Sequence, residues 1–290
     1  ALETKENLVI TNRGNITANN IVVATHYPIM NAPGYYFMKM HQERSYIIAL
    51  ENADNVNGMY IDVEKNGCSF RNYKDLLLLG AIDQRTGENE KGGCYDKLRK
   101  IAKDLYPNSK EKYHWSAQDC MTIDKIPYIG KYSDKTPNIY VATGFNKLGM
   151  TSSMVSAMII SDMILDKEND FSEIFSPKRF DLSLSIGNIA NDMIETAKNF
   201  IAQKIYIPSS KIEHIKNGHA GIVEYNDEKI GVYKNNDGKE FIVSTKCPHL
   251  GCQLGWNADE LTWDCPCHGS RFDYKGRLIG SPATKDLIDN

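Results

Sequence analysis

A chain of 290 residues is long enough for two domains that each bury a core of their own. Its formal net charge of -3 offers no basic face, which argues against a nucleic-acid partner. The best apolar run, residues 154–165, is too short to cross a bilayer and contains a serine and an aspartate, so we expect no membrane span. The chain does not open with a secretory leader pattern, and Cys68, Cys94 and Cys120 are scattered, which together predict a cytoplasmic protein.

The first part of the chain, residues 1–165, alternates strand signals with turns. Residues 8–17 read as a hairpin that leads into residues 21–25, a continuous apolar run typical of a buried parallel strand. A second such run at 139–143 feeds the glycine loop 144–151 and then a helix. Free backbone N–H groups converge at a helix N-terminus, so this loop is a candidate site for an electron-rich group. Its glycines would equally suit a turn with no ligand, and that alternative stays open.

Residues 30–119 predict a mixed-sheet substrate domain between these two runs. Its expected elements are strands at 46–50, 69–71 and 76–82 and a covering helix at 95–105. Arg44 and Arg71 are candidates for a bidentate grip on a substrate carboxylate, although most arginines at such positions are structural. His41 and His114 are candidates for a catalytic role on no stronger grounds.

The remaining chain divides into a linker, residues 166–210, and a C-terminal domain, residues 211–290. The linker is expected to be mostly helical, because residues 189–203 carry an apolar stripe at helical spacing. The C-terminal domain is expected to be a small antiparallel β domain, because short β-prone runs alternate with turn pairs. The runs are 221–225, 229–233, 241–244 and 261–263.

Two short boxes near the C-terminus each combine a cysteine with a histidine. Cys247 precedes His249, and Cys265 precedes His268. Together they make a four-ligand metal site. A structural zinc site usually draws its cysteines as one pair and its histidines as another, whereas here each loop supplies one of each. The arrangement therefore favours an iron–sulfur centre and leaves zinc as the alternative.

The full boxes, residues 247–252 and 265–270, resemble the Rieske 2Fe–2S pattern, in which two thiolates hold one iron and two imidazoles hold the other. The resemblance implies that the four residues above are the cluster ligands. It also implies a disulfide between Cys252 and Cys267, as in the Rieske proteins of bc-type complexes. Two reduced, buried thiols are the alternative, because a cytosolic setting disfavours disulfides.

The same resemblance extends to the surroundings of the cluster. Ser270 matches a hydroxyl that hydrogen-bonds a bridging sulfide in those proteins. Phe272 stands where they carry a tyrosine whose hydroxyl reaches a ligand sulfur, and a phenylalanine cannot donate that bond. Residues 280–283 resemble the proline-containing loop that closes the third side of the cluster.

Residues 8–165 resemble the FAD-dependent amino-acid and amine oxidases of the D-amino-acid oxidase type. The most specific stretch runs from residues 115–119 through 124–130 to the loop at 143–151. In that family this loop lies against the flavin ring and ribityl chain, and an Ala-Thr pair ends a strand near the cofactor. The residues thereby assigned to the cofactor are Ala24, Thr25, Gly144, Asn146, Leu148, Gly149, Met150 and Thr151.

The glycine-rich fingerprint that holds the FAD pyrophosphate in that family does not occur in the sequence. We therefore expect this chain to be the C-terminal part of a longer polypeptide, with FAD bound by the full-length protein rather than by this chain alone. In amine oxidation the flavin accepts the hydride, so the chemistry requires no protein base and no catalytic residue is assigned.

The order of oxidase-like part, linker and Rieske part resembles bacterial FAD-dependent oxidoreductases fused to a Rieske module. The expected fold class is α/β for the first part and all-β for the last. The expected function is oxidation of a small amine or amino-acid-like substrate by the flavin, with electrons passed singly to the cluster and exchanged with a redox partner protein. Two alternatives are a Rieske electron carrier without flavin activity and a zinc-stabilised interaction protein.

Overall fold

Strands outnumber helices in the part of the chain that the structure describes. This computed structural model describes residues 3–5, 7–64, 67–179, 212–226 and 228–287. The strands of the first part are β1 (Glu3–Lys5), β2 (Leu8–Thr11), β3 (Gly14–Thr17), β4 (Ile21–Val23), β5 (Met40–Glu51), β6 (Met59–Ile61), β7 (Ser69–Tyr73), β8 (Leu76–Arg85), β9 (Lys110–Thr122), β10 (Tyr128–Lys131) and β11 (Ile139–Thr143). Those of the C-terminal domain are β12 (His219–Tyr225), β13 (Glu228–Lys234), β14 (Glu240–Ser244), β15 (Gly255–Asn257), β16 (Thr262–Asp264), β17 (Arg271–Asp273) and β18 (Leu278–Gly280). The helices are α1 (Cys94–Leu105) and α2 (Gly149–Ile164), with short 3₁₀ turns at Tyr36–Met38 and Ile212–His214.

The largest sheet has five strands in the order β6-β7-β8-β5-β9, and every neighbouring pair in it is antiparallel. Side chains of β5 alternate between the two faces of the sheet, as the period of a strand requires. Tyr46, Ile48 and Leu79 face helix α1, and they pack against its Leu98 and Ala102. The strands predicted at 46–50, 69–71 and 76–82 and the helix predicted at 95–105 are confirmed.

A second sheet joins β10, β11 and β4, and its β11–β4 pair is parallel. Ile139 lies opposite Ile21, so the two apolar runs identified in the sequence are neighbours that end at the same edge. Strand β11 is buried throughout, as expected, and α2 covers it. Strand β4 is shorter than the apolar run and lies at the edge of this sheet, which leaves Val22 45% exposed. The first hairpin, β2 with β3, is as predicted.

The C-terminal domain consists of a three-stranded sheet, β12-β13-β14, and a four-stranded meander, β15-β16-β17-β18, both antiparallel. Trp256, Trp263 and Phe272 form its core together with the cysteines of the two boxes. A side chain at Gly231 would meet the Trp263 ring at 2.8 Å, so a glycine is required for this packing. The predicted antiparallel β domain is confirmed. Four of its strands are only three residues long, and β15, β17 and β18 were not predicted because so short a strand carries no periodic signal.

The segment after α2 forms turns across residues 166–179 and is held against the second sheet by a hydrogen bond and an ion pair. Ile129 N donates to Phe175 O over 2.8 Å, and Arg179 forms an ion pair with Asp124. The helix predicted at 189–203 lies outside the described residues. Neither of the two helices that the structure describes has the length and apolarity needed to cross a membrane.

Candidate metal centre

The two boxes fold into matching loops at one end of the C-terminal domain, one between β14 and β15 and the other between β16 and β17. In the first loop Gly251 N donates to Cys247 O over 2.8 Å, and in the second Gly269 N donates to Cys265 O over the same distance. Both glycines have left-handed backbones, with φ of 77° and 79°, a conformation that glycine adopts without steric cost. Each loop thus presents its cysteine and its histidine to a common centre.

The four predicted ligands meet at this centre. The rings of His249 and His268 lie 5.0 Å apart at an angle of 88°. Both Nδ1 atoms are buried, and neither has a hydrogen-bond partner among the described residues. Cys247 and Cys265 are buried and carry free thiols. Two unpartnered imidazole nitrogens beside two free thiols are a donor set for a metal, and this two-plus-two set fits a Rieske cluster.

The surroundings of the ligands set their protonation for metal binding. Burial lowers the pKa of His249 to about 4 and that of His268 to about 3, so both imidazoles are neutral at pH 7, as a ligand must be. A hydrogen bond from the Cys265 thiol lowers the pKa of Cys247 to about 7 against the opposing effect of burial. Backbone N–H groups of His249 and Leu250 add to this lowering. The same N–H groups would stabilise the thiolate that an iron requires.

A disulfide between Cys252 and Cys267 joins the two loops, as the resemblance to bc-type Rieske proteins implies. The sulfurs of Cys252, Cys265 and Cys267 lie within 4.8 Å of one another. The disulfide removes two of these three sulfurs from the ligand set, so Cys265 must combine with Cys247 instead. The bond clamps the loops over the centre.

Ser270 connects the centre to the third loop of the domain. Its Oγ accepts a hydrogen bond from Ala283 N over 2.9 Å, which leaves the hydroxyl hydrogen to interact with Cys247. Residues 280–283 are thereby held against the centre, in the place that the sequence resemblance assigns to them. Phe272 is fully buried in the same core and offers no donor.

His249 and His268, together the histidine face, lie against the oxidoreductase part of the chain. Nε2 of His249 is 2.5 Å from Oδ1 of Asn31. His268 hydrogen-bonds the backbone of Phe37, and because its Nδ1 has no partner, the bond is made through Nε2. The Phe37 ring also stands edge-on to the His268 ring at 5.8 Å. A hydrogen bond on the outer nitrogen fixes the tautomer that presents Nδ1 to a metal.

Three side chains of the five-stranded sheet hold backbone carbonyls of the second loop. The pairs are Gln42 Nε2 to His268 O at 2.7 Å, Gln118 Nε2 to Gly269 O at 2.8 Å and Arg85 Nε to Pro266 O at 3.1 Å. The contact is close enough that a side chain at Gly87 would meet Pro266 N at 2.6 Å. The loop is therefore fixed to the sheet through its backbone carbonyls.

Asp259 extends the same contact to helix α1. Its carboxylate accepts hydrogen bonds from Gly93 N and Cys94 N, both at 2.9 Å, and from Asn89 Nδ2 at 2.8 Å. Helix α1 has no side-chain cap from its own N-cap residue, so Asp259 caps it from the other domain. Burial raises the pKa of Asp259, but these hydrogen bonds outweigh burial and hold the pKa below its ordinary value.

The residues assigned to the flavin gather at the edge where β4 and β11 end together. Ala24 and Thr25 follow β4 and are exposed at this edge. Thr25 Oγ1 donates to Tyr27 O over 2.8 Å, which shapes the turn after the strand. Thr143, the last residue of β11, donates its hydroxyl to His26 O and so ties the two strand ends together.

The glycine loop separates into a packed half and an open half. A side chain at Gly144 would meet Thr122 at 2.3 Å, and its φ is 71°, so this glycine is needed by the turn itself. Asn146 braces the loop, since it accepts from Thr122 N over 2.8 Å and donates to Gly144 O over 2.7 Å. A side chain at Gly149 would meet nothing within 4 Å, and Leu148 is 63% exposed.

The N-terminus of α2 is the open end of that loop. Met150 and Thr151 are exposed in its first turn, and the helix has no side-chain cap among the described residues. An uncapped N-terminus beside exposed apolar surface fits the electron-rich edge of a flavin. The eight assigned residues thus share one edge of the sheet, and their contact with FAD stays a prediction.

The substrate-binding candidates lie elsewhere. Arg44 is 3% exposed, donates to Ser116 Oγ and Gln118 Oε1 of the sheet, and pairs with Glu260 of the C-terminal domain. His114 pairs with a neighbouring glutamate on the surface, and Arg71 is exposed. None of these three is presented to the edge that carries the flavin residues.

Sequence reasoning missed the residues that receive the histidine face. They are Tyr27, Asn31, Phe37, Gln42 and Gln118. Tyr27 alone carried a signal, because it follows the Ala-Thr pair by two residues. Gln42 and Gln118 are brought to the centre by β5 and β9, and Asn31 and Phe37 by the segment between β4 and β5. No local pattern marks these four residues.

Fold and site together define an oxidoreductase that carries a Rieske iron–sulfur domain. Residues 2–163 match the model of the FAD dependent oxidoreductase family (DAO), and residues 206–289 match that of the Rieske [2Fe-2S] domain. The chain belongs to the FAD dependent oxidoreductase family and has a Rieske domain at its C-terminal side. These two domains indicate FAD and a Rieske 2Fe–2S cluster as cofactors.

Known relatives agree with both halves. Protein YhfW of Bacillus subtilis (strain 168), provisionally named a Rieske 2Fe-2S iron-sulfur protein, is 36% identical over 286 residues, which cover 97% of this chain and 56% of YhfW. The cytochrome b6-f complex iron-sulfur subunit of Synechococcus elongatus is 30% identical over 99 residues, which cover 34% of this chain and 50% of that subunit. The chain thus spans about half the length of these relatives. The crystal structure of L-proline dehydrogenase from P. horikoshii shares the fold at a TM-score of 0.51 and 16% identity, covering 62% of this chain and 52% of that one.

The ligand set is tested by removing one ligand at a time. We expect Cys247→Ser or His268→Ala to abolish the cluster, because each removes one of the four protein ligands. Iron and acid-labile sulfide should fall to near zero in either variant. Cys68→Ser, which changes a free thiol outside the centre, should leave both unchanged. Stoichiometric zinc without sulfide in the unmutated protein would contradict the assignment.

Hydrogen bonds to the cluster sulfurs should set its reduction potential, because they stabilise the more negative reduced state. Ser270→Ala should therefore lower the potential and Phe272→Tyr should raise it if the new hydroxyl reaches a ligand sulfur. Each shift should be about 59 mV, the equivalent of a tenfold change for one electron. Protein-film voltammetry at one pH measures both, and a shift of either variant in the wrong direction would defeat the idea.

The cap that Asp259 places on α1 should make stability depend on pH. We expect Asp259→Ala to lower the free energy of unfolding by about 1–2 kcal/mol at pH 7. The folded pKa lies below the unfolded one, so the contribution is complete above about pH 4 and is lost as the pH falls through the folded pKa. Urea unfolding at about five pH values between pH 3 and pH 7 measures this for the unmutated protein and Asp259→Ala. The difference between their free energies of unfolding should become smaller as the pH falls. Asp96→Ala, an exposed change in the same helix turn, should show a smaller effect.

Proposed function

We propose that this chain relays electrons between a flavin that oxidises a small amine or amino-acid-like substrate and a Rieske 2Fe–2S cluster. One observation carries the proposal. The histidine face lies against the segment that follows β4. In this segment, the ring of Tyr27 is 6.5 Å from that of His268. Thr25, which is assigned to the flavin, is only two residues from Tyr27. Residues of both cofactor sites therefore belong to one short turn.

The cofactors supply complementary chemistry, since FAD exchanges two electrons with a substrate and can exchange single electrons with a cluster that carries only one. The protein contributes geometry. Asn31 and the Phe37 backbone hold the outer nitrogens of the two ligand histidines, which keeps the rings in one orientation. Gln42 and Gln118 hold the carbonyls behind those rings. A fixed, water-excluding contact of this kind keeps the distance between the two sites constant.

The proposal extends to the setting of the whole protein. Residues 1–165 would be the oxidoreductase domain, residues 166–210 the linker and residues 211–290 the Rieske domain. A redox partner protein would exchange electrons with the enzyme at a surface other than the histidine face, which this chain itself covers. A cytoplasmic location is also proposed, and the free thiols of Cys68, Cys94 and Cys120 support it.

A Rieske carrier without flavin activity is the second candidate. In that case the first domain would only bind the histidine face and would take no part in the reaction. The two candidates differ in one observable. The purified full-length protein should show flavin and cluster absorbance together under the main proposal, and cluster absorbance alone under the second. A colourless protein would favour a zinc site and overturn both.

Anaerobic mixing of the full-length protein with a panel of primary and secondary amino acids tests the reaction. A substrate should bleach the flavin absorbance first, and the electron paramagnetic resonance signal of the reduced cluster should then appear. In the His268→Ala variant, flavin bleaching should remain and the cluster signal should be absent. Cluster reduction that precedes flavin bleaching, or occurs without it, would refute this order of electron flow.

The seat of the histidine face is tested through Asn31. Asn31→Leu leaves the His249 N–H buried without an acceptor, which costs about 1–3 kcal/mol. Amide hydrogen exchange across residues 247–252 should then accelerate by about tenfold or more. Asn138→Leu, which removes a hydrogen bond to Asn7 within the first domain, should leave these amides unchanged. Equal effects of the two substitutions would mean that Asn31 is an ordinary structural residue.

A further inference from the structure

Tyr27 carries a polar atom that the protein alone does not satisfy. Its side chain is 1% exposed, and its hydroxyl has no hydrogen-bond partner among the described residues. Burying a hydroxyl without a partner costs about 1–3 kcal/mol, so such atoms usually face a bound group that satisfies them. The orphaned Nδ1 atoms of His249 and His268 belong to the same short set of unsatisfied buried atoms, and a cluster iron accounts for both.

The neighbours of Tyr27 indicate which group its hydroxyl meets. Its ring lies 6.5 Å from that of His268. Burial raises the pKa of its phenol, and the nearby thiols of Cys120 and Cys265 and the phenol of Tyr132 raise it further. The Cys120 thiol is already hydrogen-bonded with Thr143. The other thiol belongs to a cluster ligand. The contact with the His268 ring therefore places Tyr27, a residue of the oxidoreductase domain, beside the cluster site.

At position 272 the Rieske domain has no phenolic donor of its own. Phe272 occupies the position at which the related proteins carry a tyrosine, and it is fully buried with no atom able to donate. We propose that Tyr27 supplies from the oxidoreductase domain the phenolic hydrogen bond to the cluster that Phe272 cannot supply. The inference rests on the cluster but on no flavin chemistry.

The arrangement has a physical consequence for the cluster. A donor to a ligand sulfur stabilises the reduced state, because reduction adds negative charge to the iron–sulfur core. That donor belongs to the oxidoreductase domain. The reduction potential of the cluster therefore depends on the contact between the histidine face and that domain. Tyr27 is therefore a positioning residue: it acts on the cluster through a hydrogen bond and does not itself carry an electron.

Tyr27→Phe in the intact, cluster-loaded protein is the decisive variant, because it removes one oxygen and keeps the ring. Iron and sulfide contents should be unchanged. The one-electron equilibrium should shift about tenfold toward the oxidised cluster, which is about 59 mV downward in potential. Voltammetry without substrate measures this shift, so failure of the proposed amine oxidation would leave the result interpretable.

Two buried tyrosines of the same core provide matched controls. Tyr36 and Tyr132 are each 1% exposed, but their hydroxyls donate to protein carbonyls, those of Tyr132 and Met30. Tyr36→Phe and Tyr132→Phe should lower stability and leave the potential where it is. The double variant Tyr27→Phe with Phe272→Tyr should recover at least part of the lost potential, because it returns a phenol to the same cluster.

Three results would overturn the inference. The first is a Tyr27→Phe potential equal to that of the unmutated protein. The second is an equal shift in the Tyr36→Phe control, which would assign the effect to general loosening of the core. The third is a changed flavin absorbance spectrum in the full-length Tyr27→Phe protein with no change in potential, which would assign the hydroxyl to the flavin.

Discussion

The structure depends on the burial of two neutral imidazoles between two domains. A histidine that binds a metal through Nδ1 almost always donates its Nε2–H to an acceptor, which fixes the orientation of the ring. Asn31 and the backbone of Phe37 meet this requirement for His249 and His268. The C-terminal domain contributes neither acceptor. All four ligands belong to the C-terminal domain, but the oxidoreductase domain supplies the acceptors that orient both ligand rings.

The contact combines neutral and charged hydrogen bonds. The amides of Gln42 and Gln118 hold carbonyls of the second loop. The guanidinium of Arg85 does the same, because its Nε donates to Pro266 O. Charges interact strongly inside a protein, so Arg85 contributes charge beside the centre as well as orientation.

Sequence was sufficient wherever a feature is local. The ligand boxes, the two apolar runs and helix α1 are each specified by residues within about a dozen positions of one another, so spacing alone predicts them. Contacts between distant residues were not predictable in this way. Asn31 and His249 are 218 positions apart, and they meet only because the segment between β4 and β5 lies against the first ligand loop. Strand β4 differed from the buried strand predicted at 21–25 for a related reason. Its composition is apolar, but it lies at the edge of the sheet, and this position exposes Val22.

Gly269 shows how turn geometry and docking are combined in one residue. Its φ of 79° closes the second ligand loop, and a side chain there would meet the Gln42 side chain at 2.7 Å. Gly251 closes the first loop with a similar backbone, yet a side chain there would meet nothing within 4 Å. Both glycines serve the turn, but only Gly269 also serves the contact between domains. The two ligand loops have similar backbones because each presents ligands to the same metal centre. Their surroundings differ because side chains of the sheet hydrogen-bond the backbone of the second loop. The oxidoreductase domain therefore contacts the backbone of the second ligand loop, whereas it reaches the first through the ring of His249.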